Sequence, residues 1–194
     1  MKAAPPQRIR IIGGLWKRTP LTVVNAPGLR PTPDRVRETL FNWLGQSLEG
    51  WRCLDAFAGT GALGLEASSR GAARVLMIER DPAACRVIRQ AVDRLEAAGV
   101  IDLFEDDAPT RLARLARAGQ RFDLVFLDPP FGEGWLERLW PVLPALLVEG
   151  ALVYVESEAA LVDLPDAFVI ERSARAGQVH YHLLRFGGER PPKL

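Results

Sequence analysis

The chain has 194 residues, 48% hydrophobic and 25% charged, with a net charge of +1, the balance of one globular domain with one sizeable core. No apolar run is long enough to span a bilayer, since the stretch 142–155 is broken by Pro144, Glu149 and Gly150, and the N-terminus lacks the apolar core of a secretory leader, so the expectation is a cytoplasmic chain without membrane contact. Two cysteines (Cys53 and Cys85) and two histidines, without ligand spacing, argue against a disulfide framework and against a protein-bound metal.

The small net charge hides an asymmetry. Through Arg37 there are eight Lys/Arg and one acidic residue, and the remainder holds 17 basic and 23 acidic ones. A basic arm on a mildly acidic body suits a polyanionic partner docking at one end, and it suits a solvated basic tail equally well. Residues 8–12 and 21–24 predict two short strands flanking a Gly13-Gly14 turn region, a small N-terminal β-ribbon. The rigid connector Leu29-Arg30-Pro31-Thr32-Pro33 leads to a helix reaching about Leu48, capped by Thr32 or Asp34, with Val36, Leu40, Phe41 and Leu44 on one face.

From residue 52 onward strands and helices alternate. Strands are expected at 53–57, 74–78, 101–104, 122–127 and 151–155. Helices are expected at 62–70, from Pro82 onward, near 109–118, and between Gly134 and Leu147. The 122–127 run is almost wholly apolar, as a parallel strand buried on both faces would be. Such alternation indicates a doubly wound α/β fold with a mostly parallel sheet. The end differs: residues 168–174 and 179–186 are joined by a turn through Ala176-Gly177-Gln178, which only an antiparallel hairpin can close. His180 and His182 read as ordinary residues of that hairpin. The domain reading is a basic ribbon arm over 1–28, a catalytic domain over 29–186 and a short tail over 187–194.

Two motifs carry chemistry. The first, Leu54-Asp55-Ala56-Phe57-Ala58-Gly59-Thr60-Gly61-Ala62-Leu63-Gly64, follows a predicted strand and opens a helix. Its glycines let the backbone turn tightly and approach a ligand closely. Glu79, at the end of the next strand, is where an acid would hold ribose hydroxyls. The glycine spacing also fits a nicotinamide site, so this motif indicates only a nucleoside cofactor. The second motif, Asp128-Pro129-Pro130-Phe131, directly follows the apolar strand and so lies at a carboxyl strand end. An exocyclic amino group on a base is a poor nucleophile because its lone pair is delocalised. The Asp128 carboxylate and the Pro129 carbonyl can each accept a hydrogen bond from it, favouring a tetrahedral nitrogen. The two prolines hold those acceptors in place, and Phe131 offers a face for the base.

These residues resemble the class I S-adenosylmethionine-dependent amino-methyltransferases, and the terminal hairpin resembles their seven-stranded sheet, Rossmann-like with an antiparallel end. The resemblance implies S-adenosylmethionine as cofactor, with contacts on Asp55, Phe57, Ala58, Gly59, Gly61, Glu79, Arg80, Asp107, Ala108 and Asp128. Within it, Asp55 lies near the methionine amino group and Glu79 at the ribose. Asp107 contacts the adenine amino group, with Asp106 as the alternative, and residues 128–131 hold the target amine. A longer match, Arg10-Ile11-Ile12-Gly13-Gly14 with Leu29-Arg30-Pro31-Thr32-Pro33-Asp34-Arg35-Val36-Arg37-Glu38-Thr39-Leu40-Phe41-Asn42, resembles the RsmD-type bacterial 16S ribosomal RNA guanine-N(2) methyltransferases. It implies methylation of one guanine's 2-amino group, on 16S RNA within a partly assembled small subunit. Arg8, Arg10, Lys17, Arg18, Arg30, Arg35 and Arg37 are the candidate RNA contacts, and helix-face or capping roles are the alternative for the last three. The competing readings are an adenine amino-methyltransferase acting on DNA or other RNA, and a non-catalytic RNA-binding assembly factor. Lack of a large target-recognition domain argues against the DNA version of the first, and the intact tetrad argues against the second. A nicotinamide oxidoreductase lacks a substrate domain here.

Overall fold

A computed structural model of the chain describes residues 9–23 and 33–187. Strands β1 (Ile9–Arg10) and β2 (Pro20–Leu21) pair antiparallel, and helix α1 spans Asp34–Leu44. The helix ends earlier than its periodicity suggested because Gly45 adopts φ 93° and its N–H closes back on Phe41 O, a left-handed stop that glycine takes without strain. Asp34 is its first residue and does not cap it; Pro33 occupies that position, and Thr32, Arg30 and Arg8 lie outside the described residues.

The sheet that follows has seven strands: β3 (Arg52–Asp55), β4 (Arg74–Glu79), β5 (Ile101–Glu105), β6 (Phe122–Leu127), β7 (Leu147–Ser157), β8 (Phe168–Ala176) and β9 (Val179–Phe186). Their order is β5-β4-β3-β6-β7-β9-β8. β9 runs antiparallel to both neighbours, while the other neighbouring pairs are parallel. This is the mostly parallel sheet with an antiparallel hairpin that the sequence indicated. Alternate residues of the central strands feed two cores. Cys53, Val75, Leu124 and Tyr154 pack with α1, α2 (Ala62–Ser69) and α3 (Pro82–Arg94). Leu54, Leu76, Val125 and Val153 pack with α4 (Ala108–Arg117) and α5 (Trp135–Leu139). The helix expected between Gly134 and Leu147 is only these five residues plus a 3-10 turn at Leu143–Leu146, because Pro141 and Pro144 lack the N–H a continuous helix requires.

The described part of the basic arm, residues 9–23, does not project. Ile9, Ile11 and Leu21 are buried in the first core. Two residues per strand cannot hold a ribbon together alone, and the fixing group is Glu66 of α2. Its carboxylate is fully buried and accepts hydrogen bonds from Ile12 N and Gly13 N, each at 2.7 Å. Arg70 pairs with it at 2.8 Å and Arg37 at 3.5 Å, and Arg37 also donates to Arg10 O at 2.9 Å. The glycines expected to turn the ribbon are instead where it presses on α2: a Cβ on Gly14, at φ 73°, would stand 1.8 Å from Ser69 O. The reversal itself falls on residues 15–18, with Arg18 at φ 71°.

Candidate active site

The chain leaves β3 for β4 on one side and returns to β6 on the other, so the sheet order switches between β3 and β6. Ligands in open α/β sheets bind at the carboxyl ends of strands flanking such a point. Asp55 ends β3 and registers with Phe126 of β6. Asp128 follows two residues beyond Phe126, roughly 7 Å further along the strand direction. The sheet topology thus brings together two motifs separated by some seventy residues of chain.

Asp55 is 1% exposed, and its Oδ2 accepts the Gly64 N–H at 3.0 Å. Its Oδ1 is buried and has no partner. Burial, opposed by the Gly64 and Phe57 N–H groups and assisted by the charge of Glu79, pushes this carboxyl's pKa up to about 7. The glycine loop beside it is tied to β4 by Ala58 N on Ile78 O at 2.9 Å, and it turns on Gly61 N to Ala58 O at 2.7 Å. Gly61 holds φ 76° at the start of α2. A side chain on Gly64 would strike Met77, whose Cε lies 2.2 Å from the site of a Cβ, so this glycine lets α2 pack onto the sheet.

Glu79 ends β4. Its Oε2 accepts Gly59 N at 2.7 Å and its Oε1 accepts Asp81 N at 2.8 Å. Each carboxylate oxygen has two lone pairs, so these bonds leave acceptor capacity for two hydroxyls. Arg80 is exposed beside it. Asp107 is the exposed cap of α4, accepting Thr110 N at 3.2 Å, and Ala108 opens that helix. Asp106 is committed to Arg111 at 2.9 Å and Arg114 at 3.3 Å, which favours Asp107 of the two expected adenine contacts. A buried acid oxygen awaiting a donor, a glycine loop under close approach and a strand-end glutamate fit a nucleoside that carries a cationic amino group.

Beyond β6, Pro129 is buried, Pro130 is exposed and the Phe131 ring is 43% exposed. This loop forms one wall of a pocket of about 420 Å³, faced by Trp135, Glu156 and Glu158. That volume is within the range of small-molecule sites. Trp135 is braced edge-on against Phe57, centroids 5.4 Å apart. Tyr154, buried in the first core, donates its hydroxyl to Glu156 Oε1 at 2.8 Å. Both thiols lie in the core, where burial raises their pKa, Cys85 to about 11, so neither is a ready nucleophile. Among the described residues, no group of three or more His, Cys, Asp or Glu could hold a metal ion, and no helix is long and apolar enough to cross a membrane.

The basic candidates separate. Arg10 is 65% exposed and pairs with Asp34 at 3.5 Å; Arg35, Lys17 and Arg18 are exposed. The turn carrying Lys17 and Arg18 rests on Ser69, through Leu15 N to Ser69 O at 2.7 Å and Trp16 N to Ser69 Oγ at 2.9 Å. That is the end of α2 remote from the glycine loop, roughly 12 Å away at 1.5 Å per residue. Arg37 corrects the sequence reading: with 0% exposure between Glu66, Asp34 and Arg10 O, it cannot reach a phosphate. Sequence reasoning missed Glu66 and Arg70, although one acid inside the small-residue helix ALGLEASS is a readable signal. It also missed Glu156 and Tyr154, which no local pattern distinguishes from an alternating strand.

The family model described as Conserved hypothetical protein 95 matches residues 9–185. Ribosomal RNA small subunit methyltransferase D of Escherichia coli (strain K12) is 45% identical to this chain over 180 residues, covering 91% of this chain and 89% of its own. The protein of that name from Haemophilus influenzae is 36% identical over 178 residues, 90% of this chain and 92% of its own. Among solved structures, the presumed methyltransferase yhhF of Escherichia coli superposes with a TM-score of 0.83 at 40% identity, covering 93% of this chain and 98% of its own.

Proposed function

The chain belongs to the ribosomal RNA small subunit methyltransferase D family, and from that membership and the site we propose that it methylates the 2-amino group of one guanine in 16S ribosomal RNA. S-adenosylmethionine is the cofactor and supplies an electrophilic methyl group on a sulfonium. The observation that carries the reading is Asp128-Pro129-Pro130-Phe131 at the carboxyl end of β6, next to the strand end that holds Asp55. On this reading the unpartnered Asp55 oxygen receives the cofactor's ammonium group. Glu79 accepts the ribose hydroxyls, and Asp107 accepts the adenine amino group. Phe57, Ala58, Gly59, Gly61, Arg80 and Ala108 line the rest of the cofactor's bed.

Catalysis is mainly a matter of aiming. The Asp128 carboxylate and the Pro129 carbonyl accept the two hydrogens of the target amine, so the nitrogen lone pair turns out of the ring plane and toward the methyl group. The rigid Pro-Pro backbone fixes both acceptors before the substrate arrives, which lowers the entropic part of the barrier. Phe131 stacks on the base once it has left its own stack. The amine's acidity rises on alkylation, so its proton can leave to water without a dedicated base. Arg8, Arg10, Lys17, Arg18, Arg30 and Arg35 approach RNA phosphates, and the substrate is a partly assembled small subunit in the cytoplasm that presents the target loop in one shape. Of the basic segment, the described residues 9–23 pack on the core of the catalytic domain through Ile9, Ile11 and Leu21.

The test is radiolabelled methyl transfer to small-subunit particles, to naked 16S RNA and to duplex DNA, with nucleoside analysis of the product. The expected result is N(2)-methylguanine, formed fastest in the particle. N(6)-methyladenine, or DNA as the best acceptor, refutes the proposal.

A further inference from the structure

The two strands of the basic ribbon are too short to fix its shape, so that shape depends on what the ribbon rests on. The support is one face of α2, the helix whose first turn follows the glycine loop. Glu66 takes the Ile12 and Gly13 N–H groups at 2.7 Å each. Three residues further, the Ser69 hydroxyl donates to Gly13 O at 2.7 Å and accepts Trp16 N at 2.9 Å. Ser69 O accepts Leu15 N at 2.7 Å, and the residue is 4% exposed. From α3, Arg94 donates to Pro20 O at 2.7 Å on the returning strand. The positions gripped by α2 (12, 13, 15 and 16) lie between Arg10 on one side and Lys17 and Arg18 on the other. All three of those cationic residues are exposed.

A buried carboxylate between two arginines adds little stability over apolar packing. What Glu66 does that an apolar residue cannot is accept two backbone N–H groups of the ribbon while Arg37 and Arg70 balance its charge. We infer that Glu66 and Ser69 are positioning residues for the RNA substrate. They hold the ribbon backbone in one shape before RNA arrives, so that Arg10, Lys17 and Arg18 meet phosphates at a fixed spacing. This rests on the reading above that those cations approach RNA. A ribbon without these anchors is a flexible loop that gives up its conformational freedom when RNA binds. Fixing it in advance removes that cost from the binding step. The same helix opens at the cofactor loop, and its Gly64 N–H holds Asp55. One rigid element therefore sets the ribbon's distance from the cofactor loop.

The experiment compares the anchors with the cations. Glu66→Gln keeps the side chain's shape but sets an amide donor where N–H groups need an acceptor. Ser69→Ala removes the hydroxyl and leaves no charge unpaired. Amide hydrogen exchange should speed up at Ile12 and Gly13 in the first variant and at Trp16 in the second, with the β6 amides still protected. On small-subunit particles KM should rise roughly 10- to 100-fold in Glu66→Gln and roughly 3- to 10-fold in Ser69→Ala, the scale of re-ordering a few side chains on binding. The loss is the same in the ground and transition states, so kcat should stay within about twofold of wild type. S-adenosylmethionine affinity by calorimetry should not change. The salt slope of RNA binding should not change either, since every cation remains. Where Glu66→Gln does not fold, Ser69→Ala carries the test. Unchanged exchange, or faster exchange with an unchanged KM, overturns the inference. Replacing Arg10, Lys17 and Arg18 by glutamine separates it from the reading beneath it. A raised KM in that variant, with KM unchanged in both anchor variants, overturns the inference alone. An unchanged KM in all three overturns the RNA-contact reading as well.

Discussion

Replacing Asp55 by asparagine keeps the shape of the side chain and removes its charge. In the folded protein this carboxyl is pushed up to about 7 by burial, against an ordinary value of 3.8. Between those values the folded chain holds a proton that the unfolded chain has released. Raising the pH through this window therefore favours unfolding, the reverse of the usual behaviour of a salt-bridged aspartate. Three pH units at 1.36 kcal/mol each make the wild-type loss about 4 kcal/mol between pH 4 and pH 8. The asparagine has nothing to titrate. Its carbonyl can keep the Gly64 N–H, but its amide falls where Oδ1 has no partner, a pH-independent penalty of about 1–3 kcal/mol. The variant should be the less stable protein near pH 4 and should equal or exceed wild type near pH 8. Urea unfolding of both proteins at several pH values measures the difference, and the other titrating groups cancel in it. The same charge predicts that S-adenosylmethionine binds wild type more tightly at pH 8 than at pH 6, as Asp55 ionises to meet the ammonium group. In Asp55→Asn, binding should be roughly 10- to 100-fold weaker and flat over that range. Parallel stability profiles for the two proteins would refute the raised carboxyl, and unchanged affinity would refute its role at the cofactor.

Glu79→Ala should weaken cofactor binding by about 1–3 kcal/mol, through loss of the ribose hydrogen bonds and a loosened Gly59 loop; calorimetry reads it, and NAD should not bind either protein. Asp128→Ala should keep cofactor affinity and lose most of kcat, because its acceptor acts on the amine in the transition state. Near-wild-type turnover would make the 128–131 loop structural. Arg37→Met should destabilise by about 3–5 kcal/mol, as expected when a buried ion pair loses one partner, seen as a lower urea midpoint with the RNA salt dependence unchanged. Removing Arg10, Lys17 and Arg18 together should do the opposite: stability stays close to wild type, while the log–log salt slope of RNA binding falls by about 2–3, at about 0.7–0.9 for each phosphate that is no longer neutralised.

Much of the fold is determined by local sequence, because local sequence carries its causes. The run Phe122–Leu127 is apolar on both faces and forms the central strand β6. Asp81 and Pro82 start α3 where a cap and a fixed φ belong, and the Gly177 turn closes β8 on β9. The tetrad 128–131 and the loop 55–64 stood out as candidates for the same reason, since each motif carries the groups of its proposed chemistry in consecutive residues. Tertiary structure decided whatever depends on a partner far along the chain. Arg37 and Arg35 look alike in sequence, yet Glu66, 29 residues past Arg37, buries one and leaves the other exposed. Gly13 and Gly14 resemble a turn, but at Gly14 it is the Ser69 carbonyl of α2 that leaves no room for a side chain. Phe126 meets Tyr154 only through the pairing of β6 with β7. Periodicity records which face of an element is apolar. It does not record which charge will be compensated, and a buried charge is tolerated only where its partner arrives with good geometry.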